Sequence, residues 1–249
     1  MPTVVYSLDN AFDSFFSEAG ASSSRMQCDD VVRRRYGGQI RPVSIQGSSS
    51  YTVITGPSGY KIIQFREQAA LLDLNLLALA KEVHGDVVPG CLELGWVGEP
   101  EGSQLAIYEM DRLPGENYII ARPSLTRGKR LNTVRSLASG EITGVVDWPG
   151  ASIQPFGSAL YALENALGSM TSAGWKWFDN ADDLRDTFWR AFREQTGLSE
   201  PQTRLIKLEG KAGILIRYGT AYDSGFPGMI GVRDSNAEGD FRYLDALLF

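Results

Sequence analysis

The chain has 249 residues, 43% of them hydrophobic and 22% charged, with 24 basic against 30 acidic side chains and a formal net charge of −6. That length can bury a substantial core as one large domain or two lobes, and the acidic balance argues against a nucleic-acid footprint, which needs a basic excess to neutralise phosphates. Cys28 and Cys91 make neither a zinc site nor a disulfide framework, and neither a signal-peptide pattern nor a bilayer-length apolar run is visible, so a cytoplasmic protein with no membrane partner is expected.

Residues 7–19 pattern as a short amphipathic helix with a Ser or Asp cap, and the small polar stretch Gly20–Ser24 as a loop. A second helix is expected over Met26–Tyr36, ending at Gly37-Gly38, with Arg33-Arg34-Arg35 as a solvated face. From Ile40 the rhythm changes to strands: Arg41–Ile45, Tyr51–Thr55 and Tyr60–Arg66, the last two joined by the turn Gly56-Pro57-Ser58-Gly59. A helix rich in Leu and Ala follows from about Gln68 to Val83, closed by His84-Gly85. Strands are then expected at Val87–Pro89, Cys91–Val97 and Gln104–Met110. Helices are predicted over Phe156–Leu167, Ala181–Thr196 and Pro201–Tyr218, although Gly210 and Gly213 weaken the last. The aromatic residues at 175, 177, 178, 188 and 189 read as core. Sheet with one helix first and mostly helices afterwards predicts an α+β protein of two unequal lobes.

Between these regions, Gly140–Trp148 reads as two short strands around a turn, with Asp147 delivered where the strand ends. A carboxylate there suits a metal ion that bridges phosphates. On spacing alone, an ordinary hairpin ending in a helix-capping Asp is an equal alternative.

Three segments in this order resemble the aminoglycoside phosphotransferase and choline-kinase-like family, most closely its fungal members. Gln46-Gly47-Ser48-Ser49-Ser50-Tyr51-Thr52-Val53 is similar to the small-residue phosphate loop between the first two strands, and Tyr108–Gly115 to the hinge. Ile142–Trp148, continuing to Leu163-Glu164-Asn165, resembles the metal-binding Asp, its Trp and the next helix. The resemblance implies a protein-kinase-like two-lobe fold, with a helical segment at 1–39, a nucleotide-binding sheet lobe at 40–114 and a shortened helical lobe at 115–249. It implies ATP and Mg²⁺ as cofactors and a small-molecule acceptor whose hydroxyl takes the phosphoryl group. Ser48, Ser49 and Ser50 would cover phosphates, Asp147 would hold Mg²⁺, and the backbone of Glu109, Met110 and Asp111 would meet adenine. Gln64 or Arg66 would stand in the place of the phosphate-binding Lys, with Arg66 alone keeping a charge. The acid that anchors it would be Asp73, or less favourably Glu82.

The family's His-Gly-Asp motif is replaced. Arg127-Gly128-Lys129 stands at its place, with Asn132 near the position of the metal-binding Asn, and an ammonium at Lys129 cannot act as the carboxylate base. His84-Gly85-Asp86 spells the motif but follows a helix, where a C-cap and turn are expected. Residues 116–143, 28 in all, are too few for the family's helices in that interval. Phosphoryl transfer is therefore expected to be impaired. The alternatives are a non-catalytic pseudokinase-like nucleotide-binding or scaffold protein, and a biosynthetic enzyme that reuses the fold.

Overall fold

Ser24 and Gln27 open the second helix with reciprocal bonds: the Ser24 N–H donates to Gln27 Oε1 (2.7 Å) and the Gln27 N–H to Ser24 Oγ (3.3 Å). The structure is a computed structural model that describes residues 6–18, 23–139, 144–145, 154–171, 173–222, 229–231 and 237–248. The chain divides into two units, Met1–Gly115 with Thr143–Ser152, and Glu116–Ile142 with Ile153–Phe249.

In the first unit, α1 (Leu8–Glu18) and α2 (Arg25–Tyr36) precede five strands: β1 (Arg41–Pro42), β2 (Ser50–Thr55), β3 (Lys61–Arg66), β4 (Cys91–Val97) and β5 (Leu105–Asp111). They form one antiparallel sheet in the order β1-β2-β3-β5-β4. Strand periodicity sorts the side chains between two layers. Tyr51, Val53, Ile63, Phe65, Leu105 and Ile107 pack on one face with Phe12 and Phe15 of α1 and Cys28 and Val32 of α2. Ala106 and Tyr108 face the other way, packing with Leu72, Val88 and Leu77 of α3 (Leu74–His84). The N-terminal helices are thus one outer layer of the sheet.

Three local expectations change. The helix expected from Gln68 starts at Leu74, because Gln68–Ala70 forms a 3-10 turn and Asp73 takes the N-cap position. The strand expected at Val87–Pro89 is displaced by a 3-10 turn over Gly85–Val87, where Gly85 (φ 64°) ends α3 as a C-cap. The first strand stops at Pro42 rather than Ile45 because the buried Gln46 side chain takes over the pairing. Its amide nitrogen donates to Val43 O (3.1 Å) and Thr52 O (2.9 Å), and its oxygen accepts from Thr52 N–H (2.8 Å).

The second unit contains α4 (Tyr118–Ala121), α5 (Arg127–Ser139), a 3-10 turn at Phe156–Leu160, and α6 (Tyr161–Ala166). The hairpin β6 (Gly168–Thr171) and β7 (Gly174–Trp177) follows, then α7 (Ala181–Thr196), α8 (Glu200–Tyr218), the hairpin β8 (Thr220–Tyr222) and β9 (Met229–Gly231), and α9 (Ala237–Leu248). Val134 of α5, Leu163 of α6 and Leu184, Phe188 and Phe192 of α7 form its main core. Ile214 and Tyr218 of α8 pack with Leu247 of α9, and the Tyr218 and Tyr243 rings stack 4.5 Å apart. Both hairpins lie outside the sequence expectation. Among the described residues, no helix is long and apolar enough to cross a membrane.

Candidate functional site

The β2–β3 register sets Ser50 directly opposite Arg66 and Thr52 opposite Gln64, all on the sheet face that α3 covers. Arg66 is 4% exposed, and its guanidinium is held in place from two sides. Nε donates to Ala70 O (2.6 Å) and Nη1 to Gln64 Oε1 (3.0 Å). Gln64 and Arg66, two candidates for one role, therefore act together, the amide orienting the charge. A planar guanidinium fixed in this way is suited to charge-assisted bonds with phosphate oxygens. Ser50 belongs to β2 and is buried beside Thr52 (Oγ to Oγ1, 3.4 Å), whereas Ser48 is exposed at the tip of the β1–β2 connection and Ser49 half-buried. Only that tip can cover a ligand without rearrangement of the strand.

Asp73 does not anchor Arg66. Its Oδ1 accepts from the Asn75 and Leu76 N–H groups (3.0 Å each) at the start of α3, since a carboxylate at an N-cap satisfies donors the helix leaves open. Glu82 is exposed near the end of the same helix. Lys81 satisfies the other end, donating to Val88 O (2.8 Å) and Gly85 O (3.3 Å), so His84-Gly85-Asp86 is a helix terminus.

Glu109, Met110 and Asp111 need a correction. They end β5, which is paired on both sides by β3 and β4, with Asp111 N–H donating to Gly90 O (3.2 Å) and Arg112 N–H to Tyr60 O (2.9 Å). Their backbone is committed to the sheet and is not a free edge for adenine. By strand alternation Glu109 and Asp111 also lie on the face opposite Arg66. There Lys61 Nζ bridges Glu109 (2.8 Å) and Asp111 (2.9 Å), while the Tyr36 hydroxyl donates to Glu109. Burial pushes the Glu109 carboxyl up, but the Lys61 and Tyr36 bonds outweigh it and hold the group below its ordinary value. The same two carboxylates push the Lys61 ammonium up.

Arg127 and Lys129 lie in the first turns of α5 rather than on a loop. Arg127 pairs with Asp183 of α7, while Lys129 and Asn132 are exposed on the helix. Asp147 and Trp148 lie outside the described residues. Of that run, Gly144 and Val145 are described. A methyl group on Gly144 would meet the Leu113 side chain at 2.5 Å, and the Val145 N–H donates to Val87 O (2.8 Å), tying the run to the first unit. Burial raises the thiol pKa of Cys28 to about 12 and of Cys91 to about 11, so neither supplies a thiolate nucleophile. Among the described residues no group of three or more His, Cys, Asp or Glu side chains converges as a metal site.

No protein-family model matches this chain, and no curated protein matches it significantly.

Proposed function

We propose that the first unit is a kinase-like nucleotide-binding unit, in a chain of the aminoglycoside phosphotransferase and choline-kinase-like type whose phosphoryl transfer is impaired. The observation that carries this reading is the antiparallel order β1-β2-β3-β5-β4, with α3 inserted between β3 and β4 and Arg66 held on the face it covers. That arrangement puts a serine-containing connection between the first two strands and a fixed cation on the third, as phosphate recognition of this type requires. Arg66 would pair with phosphate oxygens, oriented by Gln64, and Ser48 and Ser49 would close over them. Since β5 is committed to the sheet, adenine would meet the backbone from Leu113 onward. Asp147 would hold Mg²⁺, which neutralises charge on the phosphates when bound with ATP.

The impairment follows from residues 127–132. An arginine and a lysine on a helix offer no carboxylate to orient or deprotonate an acceptor hydroxyl, and loss of that group costs orders of magnitude in rate. Thermal-shift titration with ATP, with and without Mg²⁺, tests the proposal. The wild-type midpoint should rise, Arg66→Met should abolish the rise, and Asp147→Ala should remove its Mg²⁺ dependence. Asp73→Ala should lower basal stability by about 1 kcal/mol, as lost caps do, and leave the ATP-induced rise intact. No shift at millimolar ATP would sink the nucleotide reading. Rapid ATP-dependent phosphorylation of an aminoglycoside or choline would sink the impairment.

A further inference from the structure

The second unit contains a cavity of about 740 Å³ between the β7–α7 corner and α8. That is the size of a small-molecule site. Four carboxylates line it, and each has an arginine partner, one guanidinium serving two of them. Arg185 holds Glu164 through Nε (2.9 Å) and Nη2 (2.8 Å) and reaches Asp182 through Nη1 (2.6 Å), Asp183 pairs with Arg127, and Asp179 pairs with Arg130. Lys207 and Lys211 also line it, one turn apart on α8, and no ion pair engages either among the described residues. The Lys207 ammonium lies 4.9 Å from the centre of the Trp189 ring. Lys207 and Lys211 are therefore the two lining cations that no carboxylate engages among the described residues, although the chain as a whole is acidic.

A second observation points the same way. Asn180 lines the cavity at the N-cap position of α7 and is 5% exposed, yet its side chain caps nothing, and neither Nδ2 nor Oδ1 has a hydrogen-bond partner. A buried amide unsatisfied at both ends is unusual in a folded protein and marks a place where a partner is missing. Both atoms are covered as the side chain stands, and a rotation into the cavity would let Nδ2 donate to an anion and Oδ1 accept from a neighbouring hydroxyl or N–H. Trp177 and Trp189 supply flat apolar walls beside it.

We infer that this cavity is a binding site for a small anion with an aromatic body, its carboxylate or phosphate held by Lys207 and Lys211 and its polar edge read by Asn180. The inference does not rest on nucleotide binding by the first unit.

The five tryptophan indole N–H signals of the full chain, followed by NMR, provide the test, with 1-naphthoate, 1-naphthyl phosphate, neutral 1-naphthamide and cationic 1-naphthylmethylamine as probes. The two anions should move the Trp177 and Trp189 signals saturably, and their relative affinity assigns carboxylate or phosphate. Lys207→Gln and Lys211→Gln should each weaken binding roughly tenfold, the loss expected of one charge-assisted bond. Asn180→Asp, close in shape and repulsive to an anion, should weaken it similarly while the other indole signals stay in place. Equal response to the amide or the amine, or no response to either anion, overturns the inference. If ATP moves these two signals and the lysine variants abolish its thermal shift, this site is upheld and the nucleotide reading of the first unit fails.

Discussion

Gln46 shows how much one side chain can decide. Beyond the Val43–Thr52 backbone bond its amide takes over from strand pairing, and it closes the β1–β2 connection through both polar groups of Thr52. Gln46→Ala should cost about 1–3 kcal/mol, because it leaves the buried Thr52 N–H unpaired. Hydrogen exchange should accelerate at Thr52 and across the connection, and unchanged protection there would refute the stapling role. Glu109 makes a pH-dependent contribution. Its carboxyl is 12% exposed and held below its ordinary value by Lys61 and Tyr36 despite burial. A depressed carboxylate contributes stability that is present above its unfolded pKa and lost as pH falls through the folded one. Urea midpoints of wild type and Glu109→Gln should therefore differ at neutral pH and converge below about pH 4; parallel curves over that range would refute the assignment. The separation of Glu109 and Asp111 from Arg66 needs the β3–β5 register, which alternation within either strand alone does not supply. The Arg66–Ala70 bond and the capping role of Asp73 were not legible, since both depend on where α3 begins, and a 3-10 turn moved that point by six residues.

At the scale of elements, glycines carried a meaning that propensity alone misreads. Gly210 and Gly213 lower the intrinsic helicity of α8, but the helix runs unbroken from Glu200 to Tyr218. Gly213 is required because the Ser158 carbonyl of the preceding 3-10 turn packs directly on it, and the Gly157 N–H bonds Glu209 of the same helix (2.8 Å). Nothing comparable constrains Gly210, whose nearest neighbour for an added methyl group would be the Gly157 oxygen at 3.6 Å. Gly213→Ala should therefore destabilise by about 1–3 kcal/mol through overpacking, despite its gain in helix propensity. Gly210→Ala should be neutral or stabilising by up to about 1 kcal/mol. Denaturant midpoints for the pair provide the check, and equal effects would refute the close approach. The β6–β7 hairpin escaped sequence reading for a related reason. Gly168 looks like a breaker, but a methyl group there would run into the Trp175 ring and the Lys176 carbonyl at 2.6–2.7 Å, so the glycine allows the strands to meet. Long amphipathic helices such as α7 were legible to the residue, because periodicity and the Gly197 cap both act locally.

The whole chain crosses between its two units at residues 115–116, 142–143 and 152–153. The first crossing has a clear local signal, the Pro114-Gly115 break after a strand. Gly144 and Val145 join the first unit through distant partners, Leu113 and Val87, which no periodicity encodes. Each unit nevertheless closes its own core, around Tyr51 and Phe65 in one and Leu184 and Phe188 in the other. A chain with two cores need not unfold in one step. Phe65 and Phe188 are 0% and 1% exposed, so replacing either by Ala should remove about 3–5 kcal/mol. Trp175, Trp177 and Trp189 lie in the second unit, so tryptophan fluorescence is weighted towards it, while hydrogen exchange over β2 and β3 reports on the first. Phe188→Ala should bring the fluorescence transition to lower denaturant and leave β2–β3 exchange nearly unchanged. Phe65→Ala should do the reverse. If either substitution moved both readouts together and by equal amounts, the two cores would form one cooperative unit, and a ligand bound to either would stabilise the whole chain.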